Sequence, residues 1–185
     1  MGDPNPDWTA GIRNSFSYKG VSLSALIDIR QGGDMWCGTC GIIDYFGTSQ
    51  SSADEREDVV VFEGVLEDGT PNNIPVALAN PADGIGSYYR VRYGFGGISE
   101  MSIYDTSWIR LRELTLSYSI PSSVFENTFL GGASISLTGR NLWLNTDYPG
   151  IDPETNLTGA SNGYGLDYFN MPNTKSFTAT VRLQF

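Results

Sequence analysis

The sequence predicts an all-β fold: an antiparallel meander of about five long strands that forms part of a transmembrane β-barrel, with two long outer loops. Three observations carry this. Several stretches alternate apolar and polar residues by twos, the pattern of a strand with one apolar and one wet face. They run on the order of ten residues, the length of a tilted membrane-spanning strand and about twice that of a typical globular strand. The connections between them alternate short and long, so both long loops fall on one side of an antiparallel sheet.

After the turn-forming lead DPNPDW, a first strand over 9–18 puts Ala10, Ile12, Asn14, Phe16 and Tyr18 on one side. Arg13, Ser15 and Ser17 take the other. A Lys19-Gly20 turn leads to a second strand over 20–31. Its residues Val21, Leu23, Ala25, Ile27 and Ile29 face one way and Ser22, Ser24, Asp28 and Arg30 the other, with Leu26 the exception. Two such strands joined by a tight turn make a hairpin.

Residues 32–106 break the alternation, and a connection of that length is usually functional. Within it, Ser52 with Glu55 three positions on predicts the capping-box start of a short helix. VVVFEGV and NIPVAL, on either side of EDGTPN, predict a small hairpin. The aromatic cluster YYRVRYGF (88–95) precedes a Gly-Gly break.

A third strand over 107–120 sets Leu114, Leu116, Tyr118 and Ile120 on one face, while Ile109 and Leu111 have the opposite parity. That switch marks a bulge or a region above the bilayer. Pro121 stops the strand. The compact turn SSVFENTFLGG leads to a fourth strand over 132–144, where Ala133, Ile135, Leu137 and Trp143 oppose Ser134, Ser136, Thr138 and Arg140. A second loop, 145–173, is rich in Gly, Asn, Asp and Pro.

The last strand, 174–185, sets Phe177, Ala179, Val181, Leu183 and Phe185 against Ser176, Thr178, Thr180, Arg182 and Gln184. Soluble domains usually end in frayed polar residues. An apolar strand closing on an aromatic suits a barrel wall with an interfacial girdle. Short turns on the periplasmic side and long loops outside is the outer-membrane arrangement. It makes Val21, Leu23, Ile27, Ile29, Ile135, Leu137, Phe177, Val181 and Leu183 the membrane-facing set. Phe185 then lies at the periplasmic rim as the assembly signal.

Composition narrows the function. The 185 residues carry a formal charge of −10, with no basic patch for nucleic acid. There is no histidine, which removes the Ser-His-Asp and Cys-His routes to an activated nucleophile and the commonest metal ligand. Aromatics (ten Tyr, nine Phe, four Trp) and 22 glycines fit strands and turns. No apolar run is long enough for a membrane helix, a test that barrel strands evade by alternating. MGDPNPDW has neither the basic region nor the apolar core of a signal peptide. The chain therefore reads as cytosolic or as the end of something longer.

GDPNPDW, FSYKGVSLSALIDIRQGGDMW, IYDTSWIRLRELTLSYSIP, LTGRNLW, YPGIDPETN and the final Phe resemble the end of SusC/RagA-type TonB-dependent outer-membrane transporters, the starch-utilisation-like importers of Bacteroidetes. The resemblance touches nearly the whole chain, and the order of the blocks makes it specific. It implies a plugged barrel of the 22-stranded class, of which residues 1–185 supply roughly the last five strands. Plug domain, TonB contact and signal peptide would lie upstream. Implied partners are outer-membrane lipid, a SusD-like surface lipoprotein, TonB through the absent plug, and an oligosaccharide or peptide substrate. The function implied is import of an oligomeric nutrient, with no cofactor and no chemistry of the segment's own.

Other motifs compete for a role. WCGTC, with Cys37 and Cys40, looks like a thioredoxin-type site, which needs a helix N-terminus to lower the thiol pKa. Gly41 follows, no long helix is signalled and no βαβ pattern surrounds it, so a local disulfide or two incidental cysteines in an outer loop is the preferred reading. The family does not require these cysteines. Asp54, Glu55, Glu57 and Asp58 read as a solvated helix face. Asp147, Asp152 and Glu154 surround a turn; the Asp152-Glu154-Asn156 neighbourhood offers oxygen ligands for calcium, but EF-hand spacing is missing and turn chemistry explains them. Loop aromatics (Trp36, Tyr45, Phe46, Tyr88, Tyr89, Tyr93, Tyr148, Tyr164, Tyr168, Phe169) would pack the loops or stack on sugars. The alternative fold is a soluble carbohydrate-binding β-sandwich, in which Phe16, Val21, Ile27, Val181 and Leu183 face a closed core.

Overall fold

A computed structural model describes residues 2–78, 97–159 and 161–185. In chain order its strands and α-helices are β1 (Trp8–Tyr18), β2 (Val21–Gln31), β3 (Asp34–Cys37), α1 (Gly38–Tyr45), α2 (Gln50–Asp54), β4 (Val59–Val61) and β5 (Pro75–Ala77). There follow β6 (Ile103–Asp105), β7 (Trp108–Ile120), β8 (Gly132–Thr146), β9 (Leu166–Asp167) and β10 (Ser176–Gln184). Two compact units divide the chain, one built on the long strands and the other on the loop segments.

The strand unit is a five-stranded sheet in the order β1-β2-β7-β8-β10, each neighbour antiparallel. The β1–β2 connection is as short as a hairpin permits: Lys19 and Gly20 both have positive φ, at 48° and 84°, and Tyr18 pairs with Val21. Two consecutive left-handed residues make the primed turn whose twist matches the strands it joins. Gly20 has a second reason to be glycine, since a Cβ there would lie 2.8 Å from the Ser119 carbonyl oxygen. Pro121 follows the last residue of β7, and a 3₁₀ turn at Ser122–Val124 begins the second short connection. Both short turns lie at one end of the sheet. The segments that leave β2 and β8 toward β7 and β10 depart from the other end.

The parity switch in the third strand is a bulge. In the β2–β7 ladder Leu26 pairs with Glu113 and Ile27 with Leu111, so Arg112 is the extra residue. Toward β8 the ladder steps from Glu113–Arg140 to Leu111–Trp143, passing over Arg112 on one strand and Asn141 and Leu142 on the other; Asn141 adopts φ 51°. This correction of register lets Ile109 and Leu111 rejoin the face of Leu114 and Leu116.

The loop unit has a small sheet in the order β6-β3-β9, with β3 and β9 parallel, and a separate β4–β5 hairpin in which Val60 opposes Val76. That hairpin lies where VVVFEGV and NIPVAL predict one. The capping box does not form. Helix α2 is capped by Ser49, whose hydroxyl accepts from the Ser52 N–H, and Glu55 sits at the C-terminal end. A serine three residues earlier does the work assigned to Ser52. No long helix follows the cysteines, but a short one does: α1, of eight residues, starts at Gly38 with Cys37 as its N-cap. The cluster 88–95 lies outside the described residues.

Candidate functional site

The register of the large sheet converts alternation into rows. On one face the row that starts at the β1–β2 turn is Tyr18, Val21, Tyr118, Ile135 and Val181. The next is Phe16, Leu23, Leu116, Leu137 and Ala179. Ile12, Ile27, Leu111 and Trp143 continue the apolar face beyond the bulge, followed by Ala10, Ile29 and Ile109. Phe177 opposes Gly139, and Leu183 opposes Ala133.

This face is open. Phe16 is 69% exposed, Val21 43%, Ile27 37%, Val181 65% and Leu183 50%. The closed core of a β-sandwich would have buried those five side chains, so the sandwich account is excluded. An uncovered patch of this size on a water-soluble surface would be an aggregation liability.

The opposite face is made of hydroxyls near the short turns. One row reads Ser17, Ser22, Ser117, Ser136 and Thr180, and the next Ser15, Ser24, Thr115, Thr138 and Thr178. Neighbours within a row share hydrogen bonds: Ser17 with Ser22 at 2.7 Å, Thr115 with Thr138 at 2.9 Å, and Ser15 to Ser24 at 3.2 Å. Such cross-strand pairs satisfy the hydroxyls and fix the register.

Toward the long-loop end the same face becomes charged. Arg110 and Asp152 form a buried pair, Nη2 to Oδ1 at 2.7 Å, with side chains 3% and 4% exposed. Arg110 Nε lies 2.9 Å from Glu154 Oε2, an ion-pair contact outside hydrogen-bond alignment. Arg112, freed from the ladder by the bulge, grips Glu154 with two nitrogens at 2.6 and 3.0 Å and reaches Asp28 at 2.7 Å. It also donates to the Asn141 amide oxygen at 3.2 Å. Both guanidinium groups lie over the Trp108 ring, 5.6 and 5.4 Å from its centre. Asp152 further accepts from the backbone N–H of Glu154 and of Asn173. Arginine side chains therefore hold the carboxylates considered for calcium, and the Asn156 amide donates to Thr158 and Gly159. No group of acidic, cysteine or histidine residues suited to a metal occurs among the described residues.

In the loop unit, Cys37 and Cys40 are joined in a disulfide. Trp36 stacks on Tyr168 with ring centres 6.3 Å apart, and Phe169 meets Tyr168 edge-on. Gly38 is small by necessity here, since a Cβ would come within 2.5 Å of the Trp36 ring. Tyr45 packs edge-on against Phe46. In the strand unit Tyr148 is buried. These contacts join Trp36, Tyr45 and Tyr168 to neighbouring rings, while Phe46 and Phe169 stay more than half exposed. Tyr164 is exposed, and Tyr88, Tyr89 and Tyr93 lie outside the described residues. The acidic run Asp54–Asp58 is exposed to solvent. Phe185 stacks on Phe129, with centres 5.9 Å apart. The Arg110–Arg112 cluster was not singled out in the sequence; its only signal there was the parity switch around Arg112.

A sheet of this length, apolar on one side and polar on the other, defines the wall of an outer-membrane β-barrel. No described helix is long and apolar enough to cross a membrane, which says nothing of strands. The comparisons carry the assignment further. The chain is 30% identical over 196 residues to TonB-dependent receptor P3 of Formosa agariphila, matching 100% of this chain and 17% of that receptor. It is 25% identical over 193 residues to TonB-dependent receptor P26 of the same organism, matching 100% of this chain and 18% of that receptor. Among solved structures it superposes on the RagAB peptide transporter with a TM-score of 0.64 and 24% identity, over 97% of this chain and 17% of that one. The RagAB peptide importer in its open-open state matches 98% of this chain and 17% of that one, at a TM-score of 0.59 and 24% identity. No family model matches. The chain is similar in sequence to the C-terminal region of TonB-dependent receptors, which are outer-membrane proteins, and it has the fold of the matching barrel region of the RagAB transporter. Its two long loops are extracellular. It spans less than a fifth of the length of the curated relatives it matches.

Proposed function

We propose that this chain forms part of the wall of a TonB-dependent importer and presents its outer loops to an oligomeric nutrient, a glycan or a peptide. The observation that carries this is the pair of opposed faces: apolar rows open on one side, hydroxyl rows and an ion-pair cluster on the other. On this reading Val21, Leu23, Ile27, Ile29, Ile135, Leu137, Phe177, Val181 and Leu183 meet lipid. Tyr18 and Tyr118 sit toward the periplasmic interface, and Trp8 and Trp143 lie toward the outer one. From Trp8 to Tyr18 the strand rises about 34 Å, which at a tilt of about 45° covers about 24 Å, close to the apolar height of such barrels. Phe185, at the periplasmic rim, serves as the assembly signal.

The partners implied are a SusD-like lipoprotein at the loop surface and TonB, acting through a plug domain. The RagAB neighbour is a peptide transporter; glycan import is the other arm of the proposal. Brominated-lipid quenching tests the wall. In single-tryptophan versions of the reconstituted receptor, Trp143 fluorescence should be quenched and Trp108 fluorescence should not. Equal quenching of both contradicts the assignment of faces. Uptake of a labelled oligosaccharide and a labelled oligopeptide, with and without TonB, separates the two nutrient classes.

A further inference from the structure

Helix α1 begins where the disulfide lies. Strand β3 ends at Cys37, Cys37 caps the helix, and Cys40 follows within its first turn. The two sulfurs differ in the properties that govern thiol–disulfide exchange, which are access and the stability of the departing thiolate. Cys37 is fully buried and Cys40 is partly exposed. Cys37 Sγ accepts a hydrogen bond from the Cys40 backbone N–H at 3.1 Å. It does so at the positive end of an eight-residue helix, which favours negative charge on that sulfur.

A second group acts on the reduced product, although its like charge opposes the departing thiolate. Cys37 Sγ lies 3.6 Å from Oδ2 of the buried Asp167, whose other oxygen accepts from the Thr39 hydroxyl at 3.1 Å. That hydroxyl in turn accepts from the Phe169 N–H at 2.7 Å, so the carboxylate is held in place. A disulfide sulfur has no hydrogen to donate. A reduced Cys37 thiol donates to the carboxylate across the same gap, so reduction adds a bond that the oxidised pair lacks. The bridge closes a loop of only three residues' separation, and short loops restrain the unfolded chain least.

We propose that Cys37–Cys40 is an exchangeable disulfide that accepts an external thiol on the Cys40 sulfur. The incoming thiolate attacks Cys40 Sγ and forms a mixed disulfide. The Cys37–Cys40 bond breaks, and its electron pair leaves on Cys37 Sγ, where the Cys40 N–H receives it before a proton from solvent restores the thiol facing Asp167. A second thiolate attacks the external sulfur of the mixed disulfide. It releases the Cys40 thiolate and an oxidised dimer of the external thiol. Two thiols are oxidised and one protein disulfide is reduced.

The test uses the chain within its folded barrel in outer-membrane vesicles, with glutathione as the probe, acid quenching, alkylation and peptide mass spectrometry. Glutathione is expected on Cys40 and not on Cys37. The single-cysteine variants hold a free thiol and no bridge, so they are probed with oxidised glutathione: Cys37→Ser should accumulate the Cys40 adduct by exchange, releasing one glutathione, and Cys40→Ser should leave Cys37 unmodified until the barrel is unfolded. Heat-modifiable gel mobility reports whether each variant has folded. A protein dithiol in place of glutathione distinguishes a small thiol from a partner's cysteine. A bridge that resists both until the sheet unfolds overturns the proposal, as does an adduct on Cys37.

Discussion

At the scale of single residues, the most consequential contact is the buried pair of Arg110 and Asp152. Removing one member of such a pair strands the other charge. Arg110→Met should cost about 3–5 kcal/mol, read as a lower urea midpoint of the barrel in bilayers. The double variant with Asp152→Asn should recover part of that loss; no recovery would mean that the pair acts only through packing. Gly20→Ala should cost at least about 1 kcal/mol, because it forces a side chain onto φ 84° and against the Ser119 carbonyl. In the β4–β5 hairpin loop, Asp68 accepts from the Thr70 hydroxyl at 2.6 Å and the Thr70 N–H at 2.9 Å. These bonds hold its carboxyl below the ordinary 3.8. A depressed carboxyl stabilises the turn above the unfolded pKa, and the contribution is lost as pH falls through the folded one. The NMR titration of Asp68 should therefore inflect below 3.8 and return toward it in Thr70→Ala. An unchanged inflection contradicts the role given to Thr70.

At the scale of elements, the two faces of β8 should respond oppositely to charge. Leu137→Arg places a guanidinium on the proposed lipid side and should cost about 2–4 kcal/mol near the membrane midplane. Ser136→Arg points to the polar side and should be nearly neutral; comparable losses in urea unfolding would remove the distinction between faces. This is also where the sequence was most readable. Alternation over β1, β2 and β10 sets side-chain direction directly, because strand period and side-chain period are the same. The parity switch at Ile109 and Leu111 signalled a bulge for the same reason. Helix α1 was less readable. GTCG has two glycines and a β-branched threonine, all poor in helices, and the helix is held instead by its Cys37 cap and by Asp167 from a distant segment. The partners of Arg110 and Arg112 were hidden too, since Asp28, Asp152 and Glu154 come from two other parts of the chain and no local spacing brings them together.

At the scale of the whole molecule, the five-stranded sheet has two outer strands, β1 and β10, whose free edges lipid does not tolerate. Residues 1–185 expressed by themselves should therefore aggregate in water or fold only in detergent. A monodisperse, detergent-free monomer in sedimentation would contradict a barrel-wall role. The central claim is that the apolar rows of the sheet meet lipid and the hydroxyl rows do not. Spin labels at Leu23, Leu137 and Val181, and at their neighbours Ser22, Ser136 and Thr180, test it most directly in the reconstituted receptor. The account predicts strong oxygen and weak nickel-chelate collision rates at the first three positions, and the reverse or protection from both at the second three. Water access at Leu23, Leu137 and Val181 equal to that of their neighbours would contradict it.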